Sequence, residues 1–183
     1  FGSALIAFIC YYPFRLILYR LIPSRFREKG LTLLIGLVSA YLAFSWGGND
    51  VANASGVIMG SGLTSSLVAT LIGGTAIVMG VVTWGYKVIE TVGFRITRFI
   101  PIMTIVAQFA SALNVYIYTM LGIPVSTSHS IVGAVVGVGL VTGKHVFNIK
   151  LARDIVFAWA ITPFAAGFLA LLLMTLLKIF ANI

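Results

Sequence analysis

The sequence predicts an all-α polytopic membrane protein, and three observations support that class. Of its 183 residues, 60% are hydrophobic and 9% charged, with mean hydropathy +1.10, far too little charged surface for a soluble domain of this length. The apolar residues come in stretches near the ~20 needed to cross a bilayer as a helix: Leu31 to Trp46, Leu63 to Tyr86, Ile100 to Leu121 and Ile155 to Leu177. The basic residues fall in the short breaks between them, as in cytoplasmic loops. The net charge of +8 therefore points to a membrane surface and not to nucleic acid, for which basic and aromatic residues would share a soluble face.

The opening stretch is apolar from Phe1 and lacks a charged segment with a cleavage site. It is expected to be a truncated first helix and not a signal peptide. Cys10 lies within it with no second cysteine to pair with, as a lipid- or core-facing thiol. A first basic group follows: Arg15, Arg20, Arg25, Arg27 and Lys29. The second is Lys87, Arg95 and Arg98, and the third Lys144, Lys150 and Arg153. Keeping all three on the cytoplasmic side requires each intervening segment to cross and return. Residues 30–86 do so by leaving through Leu31 to about Gly60 and returning through Leu63 to Tyr86. Lys87 to Arg98, thinly amphipathic, is expected along the interface. Residues 99–143 turn near Gly122-Ile123-Pro124, as two full spans or as a re-entrant hairpin; length alone leaves both open. A last helix is expected from Arg153 to Ile179.

Two interruptions stand out. Gly47-Gly48 is expected to break the second helix and free its carbonyls. Gly122-Ile123-Pro124 is expected to break the fourth, with Pro124 suited to a helix's first turn. Non-helical backbone at membrane depth is tolerated only inside protein or beside a wet cavity, and polar residues follow each break. In the first cluster Asn49, Asp50, Asn53 and Ser55 follow the glycines, with Asn49 or Asp50 as cap of a half-helix. A carboxylate at that depth needs a cation or a proton, and an oxygen-only set of this kind suits Na⁺. The plainer alternative is a helix cap with a protonated Asp50. In the second cluster Ser126, Thr127, Ser128, His129 and Ser130 place hydroxyls at a helix N-terminus, a ready anion site, although helix capping and interhelical glue would also use them.

His129 fits anion binding, proton carriage or a hydrogen bond holding the hairpin, the structural role being favoured. Gln108 and Asn114 are polar residues in the third long apolar run, placed for the cavity or for a neighbouring helix. Ala52, Gly56 and Gly60, like Gly133 and Gly137, recur every fourth residue and favour close helix packing. Ser126, Ser128, His129 and Asp50 also contain the ingredients of an intramembrane serine hydrolase. Ser128 and His129 are adjacent, however, and adjacent helical side chains point apart.

Together the clusters resemble a known family. "GGNDVANASG" resembles the GANDxANA signature of the inorganic phosphate transporter family, and "GIPVSTSHSIVGAVVGVGL" its PxSTTH segment. "VIETVGFRITRFIP" is similar to its TVGxxIT stretch and "FAWAITPFAAG" to its SWxxTPxxAG helix. The similarity runs over about residues 31–180 in the family's order. It implies an integral, multi-pass protein of a plasma or bacterial inner membrane that imports inorganic phosphate by cation symport and alternating access. Na⁺ is the expected co-transported ion, with no other cofactor; H⁺-coupled phosphate transport and sulfate transport are the alternatives.

The family is built from two inverted halves, each carrying one copy of both motifs. This chain then resembles the C-terminal half of an inverted-repeat transporter, with a broken helix and a helical hairpin. Residues 1–30 are the last helix of the preceding half plus a basic linker, and 31–183 the C-terminal repeat. Expected partners are the N-terminal half, membrane lipid and a second copy in a homodimer. Carried over by position, Asn49, Asp50 and Asn53 match the Na⁺ signature, with Ser126 and Thr127 beside them. Ser126, Thr127, Ser128 and Asn53 are the expected phosphate contacts. Departures are Gly48 for Ala, Ser128 for Thr, and Gln108 where many relatives have glutamate, which removes a proton carrier and favours Na⁺.

Overall fold

The structure, a computed structural model, describes residues 1–90, 100–143 and 149–181, and all regular elements among them are helical. Two compact units form, Phe1–Val146 and Phe147–Ile183. The first holds α1 (Gly2–Leu16), α2 (Arg27–Gly60), α3 (Ser66–Glu90), α4 (Pro101–Met120) and α5 (Thr127–Thr142). The second holds α6 (Ile149–Ala181), whose Val156–Ile179 stretch is long and apolar enough to cross a membrane. Four segments of the first unit also qualify: Gly2–Leu21, Ser24–Gly60, Ser66–Tyr86 and Pro101–Met120. Their outer faces are rich in exposed leucine, valine and phenylalanine. The chain is a multi-pass integral membrane protein. The expected interfacial segment Lys87–Arg98 lies mostly outside the described residues, as does Lys144.

Pro13 sits inside α1, and the chain then widens into a π-helical turn over Ile17–Leu21. Pro23 ends it, because the residue before a proline is pushed out of helix; Ile22 is extended, at φ −99° and ψ 115°.

α2 corrects one expectation. It runs unbroken through Gly47-Gly48, so no half-helix starts near Asp50, and Asn49 and Asp50 are interior helical residues and not caps. The energetics explain why. A helical glycine costs about 1 kcal/mol relative to alanine, whereas freeing backbone carbonyls in apolar surroundings costs several kcal/mol each. α2 turns at residues 61–65, with Gly62 at φ +69°, and α3 returns beside it. There Gly73 lies against Ala54 and the Ser55 backbone.

α4 is the core of the unit and packs on α1, α2 and α5. Pro101 opens it with a preset φ, and ten of its residues are buried, from Ile102 to Val115. Its end is a Schellman motif: Ile123 N–H donates to Tyr118 O (2.9 Å) and Gly122 N–H to Thr119 O (3.0 Å). The motif needs a left-handed residue, and Gly122 supplies it at φ +70°. Pro124 then lies two residues before the cap of α5, outside that helix and not in its first turn.

α1 and α5 pack closely at Gly133 and Gly137, where a methyl group on Gly137 would overlap the Ala4 backbone carbonyl. The other small-residue face is open: nothing lies within 4 Å of a methyl placed on Gly56 or Gly60. α2 and α4 run parallel, since Tyr41 touches Phe109 and Phe44 touches Tyr116. The end of α1 and the starts of α2 and α4 therefore share one end of the unit, the end holding the first basic group.

Candidate functional site

Asn49 brings the two polar clusters together. It is buried at 2% exposure on α2, where an amide needs partners for both ends. Its Nδ2 donates to the Val125 carbonyl oxygen (2.8 Å), and its Oδ1 accepts from the Val125 N–H (3.4 Å). The side chain thus pairs with the hairpin tip as a neighbouring strand would. Nδ2 also donates to Asp50 Oδ1 (3.1 Å), holding the half-buried carboxylate beside the tip. Among the described residues, no lysine or arginine lies within ion-pair distance of Asp50.

Val125 precedes Ser126, the N-cap of α5, whose Oγ accepts from the His129 N–H (3.3 Å). Ser128 Oγ lies 3.4 Å from Ser126 Oγ. The first-turn N–H groups of α5 and the exposed Ser126 and Ser128 hydroxyls form the donor-rich, electropositive end expected of an anion site. Beside it lies a cavity of about 420 Å³ lined by Ser3, Asn114, Tyr118, Ser126, His129 and Ser130, among others.

The predicted residues divide. Asn49, Asp50 and Ser126 gather at the tip, with Thr127, Ser128 and His129 in the turn that follows. Asn53 stands one helical turn beyond Asn49 on the same face of α2 and is exposed; among the described residues no hydrogen bond joins it to the hairpin. Gln108 is far from the tip in the α2–α4 seam, where its Oε1 accepts from Ser39 Oγ (3.0 Å).

A polar seam runs along α4. Trp46 Nε1 donates to Ser111 Oγ (3.3 Å), Ser130 Oγ donates to the Ser111 carbonyl oxygen (3.3 Å), and Asn114 Nδ2 donates to Ser130 Oγ (3.2 Å). Gln108, Ser111 and Asn114, three apart on α4, are its signal in the sequence. Along this seam α4 joins α2 on one side and α5 on the other, so the tip rests on a braced support.

The sequence profile of the Phosphate transporter family matches residues 20–170. A protein of Pyrococcus furiosus named as a phosphate permease is 41% identical over 145 residues, 73% of this chain and 35% of its own length. One of Chlamydia pneumoniae, also named as a phosphate permease, is 39% identical over 154 residues, 79% of this chain and 36% of its own. A solved structure titled the sodium-dependent phosphate transporter is similar with TM-score 0.65 and 33% identity, covering 80% of this chain and 40% of that one. The chain thus spans about two fifths of the length of these relatives. The family is one of transporters and not of enzymes, which removes the serine hydrolase alternative. With its two motif clusters joined at Asn49, this chain belongs to the phosphate transporter family.

Proposed function

We propose that the chain forms part of a secondary transporter that imports inorganic phosphate by Na⁺ symport and alternating access, residues 31–183 being its C-terminal repeat. The observation that supports this best is the pairing of Asn49 with Val125, which sets one carboxylate beside one hydroxyl-rich helix N-terminus. Asp50, with oxygens of Asn49, Asn53, Ser126 and Thr127, is the cation half of the site. Ser126, Thr127, Ser128 and Asn53 are the phosphate half. A carboxylate and a phosphate at such close quarters repel, and Na⁺ between them reverses the sign of the interaction. Coupling follows, since each ligand raises the affinity for the other by the same factor. The solved relative's title names sodium, and Gln108 in the α2–α4 seam offers no carboxyl for proton carriage.

Uptake of labelled phosphate into proteoliposomes holding the whole transporter tests this. Uptake should follow an inward Na⁺ gradient and be indifferent to a pH gradient at fixed Na⁺. Uptake driven by protons alone would overturn the coupling ion, and sulfate outcompeting phosphate would overturn the substrate.

A further inference from the structure

A second cavity lies at the opposite end of α1 from the hairpin tip, about 20 Å away along that helix. It measures about 280 Å³ and is lined by Tyr11, Tyr12, Arg15, Tyr19, Ile100, Ile102, Val141 and Thr142. Its lining is of mixed chemistry: Arg15, the tyrosines and Thr142 offer positive charge and hydroxyls, while Ile100, Ile102 and Val141 are apolar. Among the described residues no carboxylate pairs with Arg15. Arg27 stacks on Tyr19, its guanidinium carbon 4.9 Å from the ring centroid. The Arg27 Nε is buried with no hydrogen-bond partner, and its stacking puts a second positive charge against Tyr19. Arg20, Arg25 and Lys29 continue the basic segment. Tyrosine and arginine at the end of a spanning helix mark headgroup depth, and basic pockets between helices at that depth suit phosphate-bearing headgroups.

We propose that this cavity binds the phosphate group of an anionic phospholipid, with Arg15 as the charged ligand and the tyrosine hydroxyls as further donors. The acyl chains run along Ile100, Ile102 and Val141. Free phosphate shares the headgroup's chemistry but would leave these apolar residues facing water, and so the lipid is the occupant the lining favours. The site stands apart from the Asn49–Val125 junction and does not depend on the transport reading.

Native mass spectrometry of the purified transporter, titrated with phosphatidylglycerol or phosphatidylcholine in detergent, tests it. Phosphatidylglycerol should be retained in preference, and Arg15→Gln should weaken its retention roughly tenfold, the effect of one charge-assisted contact. Arg15→Lys should restore part of it, showing that the substitution site tolerates change. Arg20→Gln, which removes the same charge outside the cavity, should leave retention at the wild-type level. Equal losses in Arg15→Gln and Arg20→Gln would overturn the proposal in favour of diffuse surface attraction. Displacement of the lipid by millimolar inorganic phosphate would overturn the lipid as the source, and wild-type retention in Arg15→Gln would overturn the site itself.

Discussion

Asn49 and Asp50 are neighbours with separable tasks. Asn49 holds two backbone groups of Val125, and removing it leaves a part-buried N–H and C=O short of partners. Asn49→Ala should therefore lower stability by about 1–3 kcal/mol, read as a lower melting temperature in detergent, whether or not Na⁺ is present. Asp50→Asn keeps an oxygen that accepts from Asn49 Nδ2 but loses the charge. Its melting temperature in Na⁺-free buffer should stay near wild type, while Na⁺-dependent phosphate uptake should fall by roughly tenfold or more. If both variants lost stability equally, Asp50 would be a structural group. That these residues need partners was legible in the sequence, because an acid and two amides are costly in an apolar run unless they meet a ligand or a polar partner. The partner of Asn49 was not, since it lies 76 positions away and backbone acceptors leave no trace in residue type.

At the scale of elements, the hairpin turn and the start of α5 were readable because glycine, proline and capping serines act locally. Gly47-Gly48 misled for a physical reason: glycine permits a break without forcing one, and the surrounding bilayer raises the penalty for taking it. The helix is continuous there and open around both residues, with nothing within 4 Å of an added methyl. Gly48→Ala should then stabilise the protein by about 1 kcal/mol through helix propensity; a lower melting temperature would show that the glycine serves a bent state. Gly137→Ala should do the reverse, because its methyl meets the Ala4 backbone. A loss of about 1–3 kcal/mol is expected from such overpacking, with α1 displaced from α5. The two glycines look alike in sequence, and only the packing separates them.

At the scale of the molecule, the hairpin is shorter than the helix it leans on. Val125 meets α2 at Asn49, and α2 continues eleven residues further to Gly60, about 16 Å of helix. The tip of the hairpin thus stops short of the end of α2, while α4 itself is long and apolar enough to cross a membrane. The basic end of the first unit should face the cytoplasm. In a Cys10→Ala background, Ser24→Cys should react with an impermeant thiol reagent only from the cytoplasmic side, and Leu63→Cys only from the outside. Labelling of both positions from one side would show that α2 does not span. The spans and their order were legible from hydropathy because apolar length is a whole-segment property. Depth within the span was not, since it depends on which residue of one helix the tip of another touches.

The pairing of Asn49 with Val125 also bears on how the protein is made. When Asn49 is added to the growing chain, the residue that will satisfy it is 76 positions from being added. α2 therefore reaches the bilayer with its Asn49 amide still without the Val125 backbone groups that it holds in the folded chain, a costly arrangement in lipid. Its insertion is expected to stay incomplete, or to be sheltered by the translocation machinery, until the hairpin arrives. The residue that joins the two halves of the site thus also sets the earliest moment at which this part of the chain can settle in the membrane.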